Sequence, residues 1–225
     1  MIKRSDAVRL LGVLLGMGLL SGCGGGGGHD HGGGASPRIY VTDSGNNRIV
    51  RMDDMTGAGW TALGTVGGGT NQFNFPEGVF VDAAGRIYVA DYGNDRIVRM
   101  DDMTGANWTA LGAAGSGTDE FNGPSGVFVT AAGKIYAADF GNKRIVAMDD
   151  MTGAGWTSLG DGSGSDPSIL APGIFVDTRG RIYIADFGGN RIVRVDDMSG
   201  SNATALGTLG ADIRQFSSPG GLVVK

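Results

Sequence analysis

One sequence unit of about 48 residues occurs four times in this chain, and that repetition constrains its fold more than any other feature. Each copy carries an aspartate that is followed five residues later by an arginine, and the aspartates lie 48, 48 and 47 residues apart. The pairs are Asp43 with Arg48, Asp91 with Arg96, Asp139 with Arg144, and Asp186 with Arg191. Such a period predicts a repeat architecture, in which each unit buries its apolar face against the next.

The composition indicates which structure the repeats adopt. With 41% hydrophobic and 18% charged residues, the chain is too apolar to be disordered. Glycine accounts for 44 of 225 residues, and glycine is costly inside helices but supplies the positive φ angles of tight turns. The sequence therefore predicts an all-β protein with many turns.

Each repeat contains four short runs of β-branched and aromatic residues, separated by turns rich in Gly, Asn and Asp. In the second repeat these runs are 79–81, 86–90, 96–100 and 108–111. Four short antiparallel strands per repeat predict a β-propeller blade.

The phase of the repeats predicts how the ring closes. The first repeat begins at 38–41, which matches a second strand, and residues 219–224 match a first strand. We expect this C-terminal strand to complete the first blade and close a four-bladed β-propeller, because open sheet edges are disfavoured. The expected form is a monomer, and the alternative is that two chains associate into a larger ring.

The N-terminal residues have the pattern of an export signal. Lys3, Arg4 and Arg9 precede an uncharged run at 10–20, which is too short to span a bilayer. The sequence L-S-G-C then ends at Cys23 and resembles the lipobox of bacterial lipoproteins. This resemblance implies a signal peptide over 1–22 and lipid attachment to Cys23, and Gly24 resembles the residue that directs sorting to the outer membrane.

Residues 23–36 are predicted to be a flexible tether between the lipidated cysteine and the repeat domain at 37–225. The tether contains His29, Asp30 and His31, but a Gly-rich segment offers a metal no preorganised geometry. We therefore expect no metal or cofactor there.

The repeats also resemble a known family. The segment F-N-F-P-E-G-V-F-V-D-A-A-G-R-I-Y-V-A-D-Y-G-N-D-R-I-V, which begins at Phe73, is similar to the NHL repeat, and the likeness covers nearly all of 37–225. The resemblance implies a propeller fold, although members more often have six blades than four. Some related propellers are lyases or lactonases that use a metal or a histidine in the central well, and some bind nucleic acid.

Residues that recur in every repeat favour a structural role, because a catalytic group is normally needed once. We expect each Asp–Arg pair to pin its own turn through hydrogen bonds. The D-D-M-T-G segments do not have calcium-loop spacing, so we interpret them as turn caps. The tryptophans Trp60, Trp108 and Trp156 recur at one position and are predicted to pack between blades.

Function is expected where the repeats differ. In a propeller, the connections between second and third strands share a face with those that lead into first strands. We expect a binding face there, formed by Tyr92, Phe140, Phe187, Glu77 and Ser125. The alternative is that these rings only cover the entrances of the blades.

Residues 37–225 contain neither His nor Cys, which removes the usual zinc ligands and the commonest acid–base group. The net charge of −5, which becomes −7 when residues 1–22 are removed, disfavours nucleic acid as a partner. The sequence thus favours a membrane-anchored, noncatalytic binding protein of the bacterial envelope, whose partner is a protein or a small ligand. The alternative is a metal-dependent lyase or lactonase-like enzyme.

Overall fold

The computed structural model describes residues 38–160 and 171–225. The predicted signal peptide at 1–22, the tether at 23–36 and the lipid-attachment residue Cys23 lie outside the described residues. Within the described ranges, no helix is long and apolar enough to cross a membrane.

The described residues form one antiparallel sheet per repeat, and the prediction of an all-β fold is confirmed. The first sheet contains β1 (Ile39–Asp43), β2 (Arg48–Met52) and β3 (Thr61–Leu63). A small parallel pair follows, made of β4 (Thr65–Val66) and β5 (Gln72–Phe73). The second sheet contains β6 (Pro76–Val81), β7 (Ile87–Asp91), β8 (Arg96–Met100) and β9 (Thr109–Leu111).

The third sheet contains β10 (Pro124–Val129), β11 (Ile135–Asp139), β12 (Arg144–Met148) and β13 (Thr157–Leu159). The fourth contains β14 (Gly173–Val176), β15 (Ile182–Asp186), β16 (Arg191–Val195) and β17 (Thr204–Leu206). In each sheet the neighbouring strands are consecutive in the chain. This meander is the arrangement expected of a propeller blade.

The apolar residues lie in three clusters, each of which joins two consecutive sheets. Alternation along each strand sends successive side chains to opposite faces. On β7, Ile87 and Val89 pack toward the first sheet, whereas Tyr88 and Ala90 pack toward the third. Every internal sheet is thus covered on both faces.

Glycines allow the first strands of neighbouring sheets to approach closely. A Cβ atom at Gly78 would lie 2.7 Å from the carbonyl oxygen of Ser125, and one at Gly126 would lie 2.7 Å from that of Pro172. At Gly173 the corresponding distance, to the carbonyl oxygen of Gly220, is 2.9 Å. The same contact therefore sets the spacing of the second, third and fourth sheets, and it recurs between the fourth sheet and the C-terminal segment.

The expected closure of the ring by the C-terminal strand is not confirmed. Residues 219–225 belong to no strand, and among the described residues β1 pairs only with β2. The C-terminal segment lies beside Gly173 as the next member of the inner series, but a Cβ at Gly221 would meet nothing within 4 Å. Among the described residues the four sheets therefore form an open series, in which no strand pairs with the free edge of β1.

Replacing Gly126 with Ala is expected to lower the free energy of unfolding by about 1–3 kcal/mol, since the new methyl group would press on backbone that cannot rotate away. A matched control is Gly45→Ala, because a Cβ at Gly45 meets nothing within 4 Å and should change stability by no more than about 0.5 kcal/mol. Urea unfolding of both variants measures the difference. Equal midpoints would show that the close approach at Gly126 does not constrain the fold.

Candidate functional site on the turn face

The turns between second and third strands lie against the linkers that lead into first strands. Gly93 donates its amide to the carbonyl of Asn74 at 2.8 Å, and Gly141 donates to that of Asn122 at the same distance. The side chain of Asn94 also donates to Gly67 at 2.8 Å. We call this surface the turn face; it comprises the turns 44–47, 92–95, 140–143 and 187–190 with the described linkers 64–75, 112–123 and 207–218.

A buried ion pair anchors the turn face in the second sheet. Asp91 is buried and accepts hydrogen bonds from the amide of Asn74, the side chain of Asn94 and Nε of Arg96, each at 2.8 Å. Burial raises the pKa of Asp91 above its usual value, although these donors oppose the rise. The carboxylate is therefore occupied by its own turn and linker.

The guanidinium of Arg96 holds the linker itself. Its two terminal nitrogens donate to the carbonyls of Gly68 at 2.6 Å and Gln72 at 2.9 Å. In the third sheet, Arg144 repeats this arrangement with the carbonyls of Ser116 and Glu120 at 2.7 and 2.9 Å. These arginines fold the linkers onto the turns and leave few donors for a ligand.

The first and fourth sheets carry more open versions of the pair. Arg48 donates to Asp43 at 2.7 Å and Arg191 donates to Asp186 at 2.8 Å. Desolvation pushes the pKa of Asp43 upward, but hydrogen bonds from Asn46 and Arg48 and the positive charge of Arg48 outweigh it, so the pKa is lowered. Asp43 shares the Asn and Arg partners of Asp91 but is less buried, and Asp91 in addition accepts the amide of Asn74.

The D-D-M-T-G segments form exposed turns that cap themselves. In each, the second aspartate accepts hydrogen bonds from the amide and hydroxyl of the residue two positions later; for Asp102 these come from Thr104 at 2.8 and 2.5 Å. Hydrogen bonding lowers the pKa of this aspartate in all four turns: Asp54, Asp102, Asp150 and Asp197. Among the described residues, no three His, Cys, Asp or Glu side chains are grouped so that they could hold a metal ion.

On the turn face, the rings of Tyr92 and Phe75 are in contact. Tyr92 is half-buried and meets Phe75 edge to face, with 6.3 Å between ring centroids. Tyr92 also lies over Gly123, where an added Cβ would be 2.6 Å from the ring. Phe75 remains 47% exposed, so the pair presents an apolar edge to solvent.

The other predicted face residues are placed differently. Phe140 and Phe187 are half-buried in the turns of the third and fourth sheets. Glu77 is also half-buried, and its backbone carbonyl accepts a hydrogen bond from Thr42 at 2.7 Å. Ser125 is buried and donates to the carbonyl of Ala171 at 3.1 Å, so it contributes nothing to the surface.

Phe75 is a residue that sequence reasoning missed. It has φ 53°, and its amide donates to Oδ1 of Asn47 at 2.8 Å. The equivalent positions are Gly123, Ala171 and Ser218, of which Gly123 and Ser218 also have positive φ. The available signal was a bulky ring directly before a proline, at a position where the other repeats have small residues.

The tryptophans pack between sheets where a linker ring is available. Trp108 lies 5.2 Å from Phe73, and Trp156 lies 5.2 Å from Phe121. Arg96 and Arg144 lie over these two indoles, at 5.9 and 5.8 Å from the ring centroids. Trp60 instead is 54% exposed.

Comparison with known families and structures agrees with the predicted repeat. Residues 73–100 match the model of the NHL repeat, so the chain contains an NHL repeat in its second unit. No curated protein matches the sequence. The structure is similar to that of a catalytically inactive virginiamycin B lyase from Staphylococcus aureus solved with quinupristin, with a TM-score of 0.58 and 17% identity over 83% of this chain and 56% of that one.

Two other solved structures share the fold. A nidogen/laminin complex superposes with a TM-score of 0.59 and 20% identity, over 75% of this chain and 58% of that one. Hydrazine synthase from Kuenenia stuttgartiensis gives a TM-score of 0.55 and 16% identity, over 75% and 46%. The chain spans only about half the length of these proteins, and at such identities the likeness concerns the fold alone.

Proposed function

We propose that this protein is a noncatalytic binding module of the bacterial envelope, held at a membrane by a lipid on Cys23. Its recognition site is the aromatic edge of the turn face formed by Phe75 and Tyr92, with Phe140 and Phe187 on the neighbouring turns. The partner is an envelope protein or small ligand with an apolar group to bury. The observation that carries the proposal is the conformation and exposure of Phe75.

Phe75 is unfavourable for the isolated fold in two ways. A bulky residue with φ 53° is a backbone outlier whose strain costs of order 1–3 kcal/mol. Its ring is also 47% exposed, so folding recovers only part of the free energy of burial. Because Gly123 occupies the equivalent position in the next repeat, the fold does not need an aromatic ring there.

The surroundings of Phe75 support apolar recognition. Asn47 fixes its amide, and Tyr92 fixes its ring from the side. The neighbouring charged groups Asp91 and Arg96 are already satisfied by the turn and the linker. Preheld aromatic side chains are common centres of binding energy in protein interfaces.

The alternative of a lyase or lactonase-like enzyme has weaker support. It rests on the fold that this chain shares with virginiamycin B lyase at 17% identity, and a shared fold does not determine a reaction. Residues 37–225 contain no His or Cys, and no three metal-ligating side chains are grouped among the described residues. Binding is therefore the function that the geometry favours.

The double variant Phe75→Gly and Tyr92→Ala is expected to lose at least tenfold in affinity for the partner, with little change in thermal stability. The full lipoprotein would be cross-linked in its native cells, and the proteins recovered with wild type and variant would be compared. Arg179→Ala, at an exposed hairpin between first and second strands, is the matched control. Equal recovery with all three forms would place the binding site elsewhere.

Membrane attachment has its own test. Cys23→Ser is expected to move the protein from the membrane fraction to the soluble exported fraction, since acyl chains stabilise membrane binding by about 0.8 kcal/mol per buried CH₂. Fractionation and mass spectrometry of the mature N-terminus measure the change. An unlipidated wild-type Cys23 would contradict the anchor without affecting the proposed binding site.

A further inference from the structure

The two ends of the open sheet series present apolar surface that every internal sheet buries. In the second sheet, the face that packs on the third sheet carries Tyr88, Ala90 and Ile97, and all three are buried. The same positions in the fourth sheet are Tyr183, Ala185 and Ile192, of which the tyrosine and isoleucine are only half-buried. The fourth sheet thus carries the parts of a junction without a sheet to complete it.

The linker after the fourth sheet repeats this incompleteness. Phe73 and Phe121 are completely buried, each against the tryptophan of the sheet that follows. The equivalent ring, Phe216, is only half-buried. Nearby, Leu206 is 51% exposed. Phe216 therefore has the position of a junction ring but has no tryptophan over it among the described residues.

The first sheet presents the opposite half of a junction. Trp60 is 54% exposed and Met55 is 87% exposed. Their counterparts Trp108 and Met103 pack against the cluster between the first and second sheets. The first sheet thus offers the tryptophan and methionine that a preceding linker ring would cover.

The polar groups at the two ends are complementary as well. Arg96 and Arg144 each donate to carbonyls of the linker before their sheet. Within the described part of the chain, no linker carbonyl accepts a hydrogen bond from Arg48. The linker at 208–216 in turn has no such arginine over it in the described residues.

We propose that a second copy of this chain completes both ends, with the fourth sheet of each copy packing head to tail on the first sheet of the other. Phe216 of one copy would lie under Trp60 of its partner copy, and Arg48 would bind the carbonyls of the linker at 208–216. The segment 220–224 would add the missing inner strand beside β1. Two copies related by a twofold axis bury all four ends and leave no open edge.

The structure favours a second copy over closure within one chain. The contacts between neighbouring sheets are nearly identical: the glycine approaches at Gly78 and Gly126 are both 2.7 Å, and both ring pairs lie at 5.2 Å. The approach of Gly173 to the C-terminal segment, at 2.9 Å, is similar. With these contacts in place, Gly221 faces open space and Trp60 remains exposed. Closing the ring inside one chain would distort every junction, and close-packed interiors resist such deformation.

The repeats predict the register of the contact between copies. In the second sheet Val79 pairs with Val89, and in the fourth Ile174 pairs with Ile184. By the same alignment, Leu222 of one copy lies opposite Val41 of the other. Directly opposed residues on antiparallel strands have Cα atoms about 4.5–5.5 Å apart, which is within reach of a disulfide.

The test uses two differently tagged full-length chains coexpressed in the same cells, one with Leu222→Cys and one with Val41→Cys. We expect a disulfide-linked species that contains both tags on non-reducing gels. The matched control pairs Val223→Cys with Val41→Cys. The side chain at 223 lies on the other face of the strand, so this pair should give at least tenfold less product. The unsubstituted chain controls for disulfides through Cys23.

Absence of the mixed product would overturn the proposal, and so would equal yields from positions 222 and 223. A single chain that carries both Leu222→Cys and Val41→Cys and forms an internal disulfide, while the mixed chains do not cross-link, would instead establish closure within one chain.

A second measurement needs no added cysteine. Native mass spectrometry of the full lipoprotein in detergent is expected to give the mass of two chains, and Trp60→Ala is expected to halve it. Because Trp60 is exposed in the single chain, the Trp60→Ala protein should have the same circular dichroism spectrum as the unsubstituted protein. A wild-type mass of one chain would overturn the proposal, while leaving the proposed recognition edge at Phe75 unaffected.

Discussion

Replacing Asp139 with Ala is expected to lower the free energy of unfolding by about 3–5 kcal/mol, the range seen when one member of a buried ion pair is removed. Asp139 is completely buried and accepts hydrogen bonds from the amide of Asn122, the side chain of Asn142 and Nε of Arg144, each at 2.8 Å. Its loss would leave the buried guanidinium of Arg144 without a counter-charge. The same guanidinium holds the linker, so the linker should loosen with it.

The control for this prediction is Asp43→Ala, which removes the same residue from the same motif at a half-buried site. Its partner Arg48 stays in contact with water, so the expected loss is only about 0–1 kcal/mol. Both substitutions would be made in the Trp60→Ala background, so that association between copies does not contribute. Urea unfolding measures the two losses. Equal losses would show that burial does not determine the strength of these pairs.

The Asp–Arg pairs show what the sequence could predict. A five-residue separation across a short turn places the aspartate opposite the arginine, and the structure pairs Asp91 with Arg96 and Asp139 with Arg144 in strand register. The repeat length, the four strands of each complete unit and the shared position of turns and linkers follow from local patterns. These local patterns are reliable because each of them occurs four times in the chain.

The failures concern properties that no single repeat determines. Ser125 occupies the position of the half-buried Glu77, yet it is buried because the next inner strand covers it. The backbone amide of Phe75 is held by Asn47 from the preceding repeat. Both are contacts between repeats. A repeat pattern predicts the strands and turns inside one repeat better than it predicts the contacts between neighbouring repeats.

Ring closure within one chain is not confirmed, for a related reason. The phase of the repeats shows that segment 219–224 has the sequence of the strand missing beside β1, but it does not show in which chain the two meet. That depends on the angle between sheets, which is set by small contacts such as those at Gly78 and Gly126. Small differences at each junction accumulate over the series, and a sequence pattern does not record them.

The second large effect is expected at the ring that joins the second and third sheets. Phe121 is completely buried and lies 5.2 Å from Trp156. Its ring also fills the space beside Gly112, where an added Cβ would be 2.8 Å away. Phe121→Ala is therefore expected to lower the free energy of unfolding by about 3–5 kcal/mol, because it removes a buried aromatic ring and leaves a cavity.

The equivalent substitution at the end of the series separates folding from association. Phe216 is only half-buried, so Phe216→Ala in the Trp60→Ala background should cost about 1–2 kcal/mol, less than the complete burial of a ring provides. In the chain that retains Trp60, the same change should also reduce the two-chain mass to that of one chain. In the Trp60→Ala background, Phe216→Ala could instead cost as much stability as Phe121→Ala. That result would mean that Phe216 is already covered within one chain, and the fourth sheet would then need no partner.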